Sequence, residues 1–231
     1  MVKEQLNLFG NDKDQSNIVQ KPVEVPKENK NEQITYLPQA KWEESYIDIG
    51  SLSDLEKVGK SCNSCPLRAT CKQVIFGEGR DDAKIMFIGE GPGQDEDKEG
   101  RPFVGRAGQL LDKIFLASEI PRPDTYITNV IKCRPPGNRL PKPDEVNVCQ
   151  NYLEAQIRLL QPKIIVCLGA LATQTVIEKN ARITRTRGRW FSRHGIRMMA
   201  TFHPAALLRN EDYKRPTWED FKLIRDEFKK L

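Results

Sequence analysis

Apolar residues are concentrated in four short, nearly continuous runs in the second part of the chain. Runs of this length without polar alternation are typical of strands that are buried on both faces, as in a parallel sheet. Each run ends in a glycine or a polar residue, and the carboxyl ends of strands carry the sites of such sheets. The four runs cover residues 84–89, 126–130, 163–169 and 198–202.

Helical periodicity separates these runs. Residues 107–118, 144–160 and 218–229 each place their apolar side chains on one helical face. Pro143 stands where the second helix should begin, and proline is favoured at a first helical position. Strands that alternate with helices predict a layered α/β domain.

The first fifty residues show neither pattern. Residues 10–48 are rich in Asn, Gln, Lys, Glu and Asp, and their apolar residues are scattered, so we expect a disordered linker over 10–50 and a folded domain over 51–231. Hydrophobic residues make up only 38% of the 231 residues, which agrees with an unpacked part. No apolar run approaches the roughly 18 residues of a membrane span, and no secretory signal is present, so we expect a cytoplasmic protein. The net charge of +5 is compatible with a polyanionic partner.

Six cysteines in a reducing compartment favour a metal site or buried thiols over disulfides. Cys62 and Cys65 form a C-x2-C pair, and Cys133 and Cys149 follow much later. Four thiolates can hold zinc or a [4Fe–4S] cluster, and spacing alone decides neither the metal nor the third and fourth ligands. Cys167 lies within an apolar run, where a thiol serves as a small hydrophobe.

A glycine-rich turn with four carboxylates, residues 89–97, follows the first predicted strand. It could cradle a phosphate, but it lacks the G-x-G-x-x-G spacing and a lysine, and its carboxylates would repel a phosphate. Carboxylates beside a permissive backbone suit a site that meets developing positive charge or activates water.

Three motifs at the ends of predicted strands give a specific resemblance. The segments GEGPGQDEDKEGRPFVGRAGQLL, YITNVIKCRPPGNR and FHPAALLRN are similar to those of the family 4 uracil-DNA glycosylases, the iron–sulfur branch of the uracil-DNA glycosylase superfamily. The resemblance covers residues 60–231. It implies a three-layer α/β/α sandwich around a short, mostly parallel sheet. It also implies a monomeric enzyme that leaves an abasic site in single- or double-stranded DNA. The [4Fe–4S] ligands that it implies are Cys62, Cys65, Cys133 and Cys149.

The resemblance also assigns the base pocket. Asn129 would match N3–H and O4 of uracil and reject cytosine, which presents the opposite pattern. Phe103 would stack on the base, and His203 would donate to O2 of the departing uracil. Gly91 stands where many members of the superfamily have Asp. Glu90, with Glu96 nearby, is therefore expected to orient water or to stabilise the sugar cation.

The DNA contacts follow from the third motif and from a basic run. Leu207 or Leu208 resembles the apolar wedge that fills the place of the flipped base, and Arg209 follows directly. Residues 182–197 contain six arginines, of which Arg187 and Arg189 are expected to contact phosphates.

Two other classes of function compete with turnover. One is a uracil-DNA binder that stays on its product, as a covalently trapping relative does with an inserted basic loop and an extra His. Residues 133–139 contain no His, which favours turnover. The other is a nucleic-acid-binding module without catalysis, stabilised by a metal that four cysteines hold.

A short apolar segment precedes the linker. Gln5, Leu6, Leu8 and Phe9 have no neighbouring core to bury them. The segment resembles the pentapeptide with which bacterial replication and repair proteins dock on the sliding clamp. Residues 1–9 are therefore predicted to bind a DNA sliding clamp.

Overall fold

The computed structural model describes residues 34–38 and 46–231, and within them lie seven strands and eight α-helices. The strands are β1 (Thr35–Tyr36), β2 (Glu78–Gly79), β3 (Ile85–Gly89), β4 (Thr125–Asn129), β5 (Ile164–Leu168), β6 (Trp190–Arg193) and β7 (Ile196–Thr201). The helices are α1 (Leu52–Lys60), α2 (Gln94–Glu99), α3 (Arg106–Ala117), α4 (Pro143–Leu160), α5 (Ala170–Val176), α6 (Ile183–Thr186), α7 (Pro204–Leu207) and α8 (Lys214–Phe228).

All seven strands form one sheet in the order β1-β6-β7-β5-β3-β4-β2. The four central strands β7, β5, β3 and β4 are mutually parallel, whereas β2 pairs with β4 and β6 pairs with β7 in antiparallel fashion. The register sets Gly89 beside Asn129 and Leu168 beside Thr201, so the carboxyl ends of the parallel strands form one edge.

Each face of the sheet carries its own apolar core. Along β3, Ile85 and Phe87 join one core while Met86 and Ile88 join the other, which is the period-2 alternation of a strand. Helices α3 and α8 cover the first face, and α4 and α5 cover the second. The expected three-layer α/β/α sandwich around a short, mostly parallel sheet is therefore confirmed.

The predicted elements agree closely with the observed ones. The four apolar runs match β3, β4, β5 and β7, and the three periodic segments match α3, α4 and α8. His194 and Gly195 both have positive φ and form the turn between β6 and β7, as expected for a hairpin. No helix in the described ranges is long and apolar enough to cross a membrane.

Part of the expected linker lies against the domain. Thr35 and Tyr36 pair in parallel with β6, and the ring of Tyr46 stacks on Tyr152 with centroids 4.7 Å apart. The Arg158 guanidinium also donates to the carbonyl of Tyr46 at 2.8 Å. Residues 34–38 and 46–50 are thus ordered additions to the sheet and to α4, which differs from the expectation for 10–50. The predicted clamp peptide, residues 1–9, lies outside the described residues.

Candidate active site

A cavity of about 520 Å³ opens beyond the carboxyl ends of the parallel strands. Such crevices are where ligands bind in open α/β sheets. Its floor contains Asn129 from the end of β4 and the glycine-rich turn after β3, and His203 from the segment after β7 lines it too. The sequence therefore brings residues far apart in the chain to one edge of the sheet.

Asn129 places an unpaired oxygen in this cavity. The residue is 2% exposed, and its Oδ1 atom has no hydrogen-bond partner, a situation that only two other buried side-chain atoms share in the described part of the chain. Gly89 makes room for it, because a Cβ at Gly89 would lie 2.4 Å from Oδ1 of Asn129 and 2.5 Å from Cζ of Phe103. Buried polar atoms are nearly always paired, so this oxygen indicates a ligand with a donor group.

Phe103 supplies an aromatic surface beside that oxygen. Its ring stacks on the imidazole of His203, with centroids 5.6 Å apart and planes 30° apart. Its backbone has φ of +53°, an uncommon value for a residue with a side chain. The guanidinium of Arg122 holds this segment, because it donates to the carbonyls of Pro102 at 2.8 Å and of Phe103 at 3.3 Å.

His203 is oriented by the helix that it caps. Its Nδ1 accepts a hydrogen bond from the backbone N–H of Ala205 at 3.1 Å, so the proton of the neutral ring resides on Nε2. Burial, together with the charge of Arg209, lowers the pKa of His203 to about 4. The ring is therefore neutral near pH 7 and offers one N–H donor.

The two candidate carboxylates have different environments. Burial raises the pKa of Glu90, against which the charge of Arg209 acts. Glu96 instead uses both of its oxygens on backbone donors: Oε2 accepts from Gly93 at 3.0 Å, and Oε1 accepts from Val104 and Gly105 at 3.0 and 2.9 Å. Glu96 thus ties the glycine-rich turn to the segment that follows Phe103, and a role in handling water stays a prediction for it.

Gly91 is one of the residues that line the cavity. A Cβ at this position would lie 2.6 Å from Cγ1 of Ile131, so there is no room for a side chain. The Asp that many members of the superfamily have here would require Ile131 to move, and Glu90 is the carboxyl next to it along the chain.

Lys132 is a buried site-related residue that the sequence analysis missed. It is 2% exposed, and its Nζ donates to Thr128 Oγ1 at 2.7 Å, to the Asn129 carbonyl at 2.7 Å and to Gln156 Oε1 at 2.6 Å. Burial lowers its pKa to about 7. The amine therefore holds the backbone of Asn129 against α4. The only signal in the sequence was its place among apolar neighbours directly after a buried strand.

The residues of the third motif that were expected to contact DNA differ in their exposure. Leu207 is 1% exposed and belongs to the core under α3 and α8, so it is not the wedge. Leu208, the alternative, is 42% exposed. Arg209 is exposed and lines the cavity next to Glu90 and His203. Of the two leucines that the sequence left open, only Leu208 is exposed, and its contact with DNA stays a prediction.

Several arginines of the basic run, residues 182–197, form ion pairs or hydrogen bonds within the chain. Arg187 forms an ion pair with the buried Asp220, where Nε lies 2.9 Å from Oδ2, and its guanidinium lies 5.5 Å from the centroid of the Phe202 ring. This pairing corrects the expectation that Arg187 contacts phosphate. Arg189 is exposed, and its guanidinium lies 5.9 Å from the centroid of the Phe191 ring. In the rest of the run, Arg193 donates to the carbonyls of Val176 and Ile177, Arg197 pairs with Glu227, and Arg182 and Arg185 are exposed.

The predicted cluster ligands lie in one region of the domain. Cys62 follows α1, Cys65 precedes a 3₁₀ turn, Cys133 follows β4 and Cys149 lies in α4. Burial raises the pKa of Cys133, and the charges of Cys71, Cys149 and Cys65 raise it further, so these sulfurs share one neighbourhood. No three Cys, His, Asp or Glu side chains within residues 34–38 and 46–231 stand close enough to hold a metal. Cys167 is buried within the sheet, as expected.

The donor set nevertheless suits a thiolate-bound group. Burial raises the pKa of Cys65 and of Cys149, and the backbones of Leu67 and Lys132 act against this effect, whereas the pKa of Cys62 is lowered with the help of the Ser64 backbone. Backbone groups that favour the thiolate also tune iron–sulfur clusters. Cys71 contributes to the raised pKa of Cys133, so it is a further thiol in this region.

Taken together, the fold and the pocket define an α/β protein with a preformed site for one planar heterocycle. An aromatic face, an unpaired amide oxygen and a neutral imidazole donor meet in a cavity large enough for a nucleobase. The comparisons with known proteins agree with this class. A family model described as the uracil DNA glycosylase superfamily matches residues 76–222.

Three curated relatives extend the match over most of the chain. A type-4 uracil-DNA glycosylase of Thermotoga maritima is 46% identical over 74% of this chain and 91% of its own length. One of Sulfurisphaera tokodaii is 43% identical over 76% of this chain and 85% of its own. One of Archaeoglobus fulgidus is 40% identical over 75% of this chain and 92% of its own. The chain belongs to the uracil-DNA glycosylase superfamily.

Proposed function

We propose that the chain is a uracil-DNA glycosylase that hydrolyses the bond between C1′ of deoxyribose and N1 of uracil and initiates base excision repair. The observation that carries this proposal is the buried, unpaired Oδ1 of Asn129 at the floor of a nucleobase-sized cavity. The type-4 relatives, which cover most of the chain, support the same activity.

Asn129 is the residue that reads the base in this proposal. Its Oδ1 accepts from N3–H of uracil and its amide nitrogen donates to O4, so two adjacent polar groups of the base are satisfied. Cytosine would set an acceptor against Oδ1 and a donor against the amide nitrogen, which leaves buried groups unpaired. The flipped base stacks on Phe103, and stacking on an aromatic ring contributes about 1–3 kcal/mol per base.

His203 and Glu90 act on the reacting atoms. As the C1′–N1 bond breaks, its electron pair moves to the uracil ring, and the Nε2–H of the neutral His203 donates to the developing charge on O2. The sugar gains oxocarbenium character, which the Glu90 carboxylate stabilises. Water then forms the new bond to C1′ and gives a proton to the Glu90 carboxylate, the uracil anion takes up a proton, and the products are uracil and an abasic site.

DNA binding positions the target nucleotide for this chemistry. Extruding a base costs a few kcal/mol. Leu208, which is exposed and directly precedes the cavity-lining Arg209, fills the place that the base leaves in the stack. Arg209 and Arg189 are exposed cations that contact the backbone phosphates.

Cys62, Cys65, Cys133 and Cys149 are the ligands that we propose for a [4Fe–4S] cluster. Its contribution is to tie α1, the segment after β4 and α4 together, as structural metal centres do. Cys→Ser variants at all six positions test the assignment through the absorbance near 400 nm. Loss at these four and retention at Cys71 and Cys167 is expected, whereas an intact band in Cys149→Ser, or a lost one in Cys71→Ser, contradicts it.

Gln5, Leu6, Leu8 and Phe9 are proposed to dock on a DNA sliding clamp, with the three apolar side chains in a pocket of the clamp and Gln5 at its edge. The resemblance of this segment to clamp-binding pentapeptides supports the proposal. Docking would hold the glycosylase at newly replicated DNA, where misincorporated dUTP leaves uracil.

The test of the activity is incubation with a uracil-containing oligonucleotide, followed by alkali cleavage of abasic sites. Strand scission is expected with the wild-type chain and not with Asn129→Ala. Asn129→Asp is expected to release cytosine from a cytosine-containing oligonucleotide, because a protonated or water-bridged carboxyl can pair with its N4 group. An unmodified strand after prolonged incubation with the wild-type chain would overturn the proposal.

A further inference from the structure

Leu140 is an exposed apolar side chain at the edge of the cavity. It lies in the loop between β4 and α4, is 73% exposed, and lines the cavity together with Arg139 and Pro141. Single exposed leucines are common on protein surfaces. Its position at the mouth of a nucleobase-sized cavity, rather than its exposure alone, therefore raises the question of what covers it.

The backbone that carries Leu140 is held in place. Arg139 Nη1 donates to the carbonyl of Leu140 at 3.0 Å and to Glu145 Oε2 at 2.8 Å, and Nη2 donates to Glu145 Oε1 at 2.6 Å. The Glu145 carboxylate is 2% exposed and also accepts from the N–H of Lys142 at 2.7 Å. Pro141 further restricts Leu140 to extended conformations. A contact made by this leucine therefore requires little ordering of the loop.

A second exposed leucine, Leu208, directly precedes Arg209, which lines the cavity. Leu208 follows α7, which begins just after the end of β7. Strands β4 and β7 are separated by β3 and β5 in the sheet, so their ends lie about 14 Å apart, three strand spacings of about 4.8 Å. Leu140 and Leu208 therefore follow different strands of the sheet.

The chemistry of a leucine limits what it can contact on DNA. It offers no donor to a phosphate, and its favourable partner is the face of a base that loses water on contact. When one nucleotide is flipped into the cavity, its neighbours in the same strand stay covalently held at the mouth. They are therefore the bases within reach of the rim.

We propose that Leu140 packs against the base next to the flipped uridine in the same strand. This inference rests on the proposed uracil-DNA glycosylase function and adds a second apolar contact to it. Leu140 then binds the strand without touching the reacting atoms, so it affects substrate capture more than the chemical step.

Leu140→Ala tests the contact, and Leu116→Ala is its matched control. Leu116 is 80% exposed on α3 and does not line the cavity. On a uracil-containing oligonucleotide, kcat/KM is expected to fall about tenfold in Leu140→Ala, mainly through KM, and to stay unchanged in Leu116→Ala. Thermal unfolding of both variants should match the wild type.

Oligonucleotides that carry an abasic analogue directly 5′ or 3′ of the uridine identify the partner. With one of the two, the wild type and Leu140→Ala are expected to become equal, because the contacted base is absent. A defect that persists with both analogues, or equal kcat/KM of the two proteins on the intact strand, overturns the inference. Absence of uracil release by the wild type would instead overturn the proposed function on which it rests.

Discussion

Asn129 ends β4 and Lys132 follows three residues later, and both side chains are almost completely buried. Their polar atoms nevertheless differ, because one lacks a hydrogen-bond partner and the other has three. The Asn129 Oδ1 atom faces the cavity without a partner. The Lys132 amine has three acceptors, from Thr128, Asn129 and Gln156, all within 2.7 Å. One group is prepared for something outside the chain, and the other is fully used within it.

This difference separates the recognition of the base from the scaffold beneath it. An unpaired buried group costs about 1–3 kcal/mol, so the folded chain tolerates Asn129 Oδ1 only because other contacts stabilise the pocket. Lys132 supplies one such contact, since its hydrogen bond to the Asn129 carbonyl fixes the residue whose side chain faces the ligand. Substitution at the two positions should therefore affect different quantities.

The largest effect on excision is expected for His203→Ala. Loss of the Nε2–H donor should lower kcat about 10²- to 10³-fold, as for other donors to a developing oxyanion. The control is His194→Asn in the turn between β6 and β7, because Asn tolerates the positive φ found there. Single-turnover excision measures both. Near-normal kcat in His203→Ala would remove the imidazole from the mechanism.

The next effect concerns the dependence of excision on pH. Burial raises the pKa of Glu90, so its carboxylate should be lost, on acidification, at a higher pH than for an ordinary Glu. His203, whose pKa is about 4, stays neutral over the same range and adds no limb. The single-turnover rate should fall as the pH drops through the raised pKa of Glu90. Glu90→Gln should be slower than the wild type, and its rate should not show this fall.

The raised pKa of Glu90 also affects the stability of the folded chain. Because the folded state disfavours the ionised Glu90, its ionisation lowers the free energy of unfolding as the pH rises through the raised pKa. Glu90→Gln should therefore unfold at a slightly higher temperature than the wild type at pH 7. If the excision rate of Glu90→Gln still falls at acid pH, a group other than Glu90 causes that fall.

Lys132→Met should affect stability more than base selection, which is the opposite of the result expected for Asn129→Ala. Removal of the amine takes a donor from three buried acceptors, although Thr128 Oγ1 keeps its bonds to the Phe76 carbonyl and Gln156 Oε1. A buried acceptor left unpaired costs about 1–3 kcal/mol, so the melting temperature should fall clearly while uracil is still preferred over cytosine. Asn129→Ala should lose excision with little change in melting temperature. Calorimetry and excision assays on both variants test this. A stable Lys132→Met that releases cytosine would show that the lysine itself takes part in base selection.

The layered fold could be predicted because its evidence is local. Each central strand is a short apolar run, and α3, α4 and α8 have regular apolar faces, so their positions follow from periodicity. Strand β6 was not predicted, because Trp190–Arg193 ends in polar residues, and β1 and β2 have only two residues each. Their pairing depends on partners that are distant in the chain.

The chemical groups of the site could be predicted from the sequence, but the contacts of its charged side chains within the fold could not. The motifs led to Asn129, Phe103 and His203, which the structure brings to one cavity. The ion pair of Arg187 with Asp220 joins residues 33 positions apart, and no local pattern marks it. Lysine is normally exposed, so the burial of Lys132 also depends on its tertiary contacts.

The smallest effect on excision is expected for the N-terminal segment. If Gln5, Leu6, Leu8 and Phe9 bind only a clamp, Leu8→Ala combined with Phe9→Ala should leave excision from a free oligonucleotide unchanged. Burial of a large apolar side chain contributes about 1.5–3 kcal/mol before ordering costs. The segment should therefore bind the clamp in the micromolar range, at about −8 kcal/mol, and the double variant should lose that binding.

Titration of a bacterial sliding clamp with the full chain measures this affinity, beside the excision assay. The matched control replaces Ile18 and Val19 with Ala, which removes similar apolar area from the same part of the chain. Equal clamp affinity in the wild type and the Leu8/Phe9 variant would refute docking by the pentapeptide. Slower excision from the free oligonucleotide in that variant alone would instead mean that the segment acts on the catalytic domain. The N-terminal segment would then belong to the parts of the protein that support the base pocket.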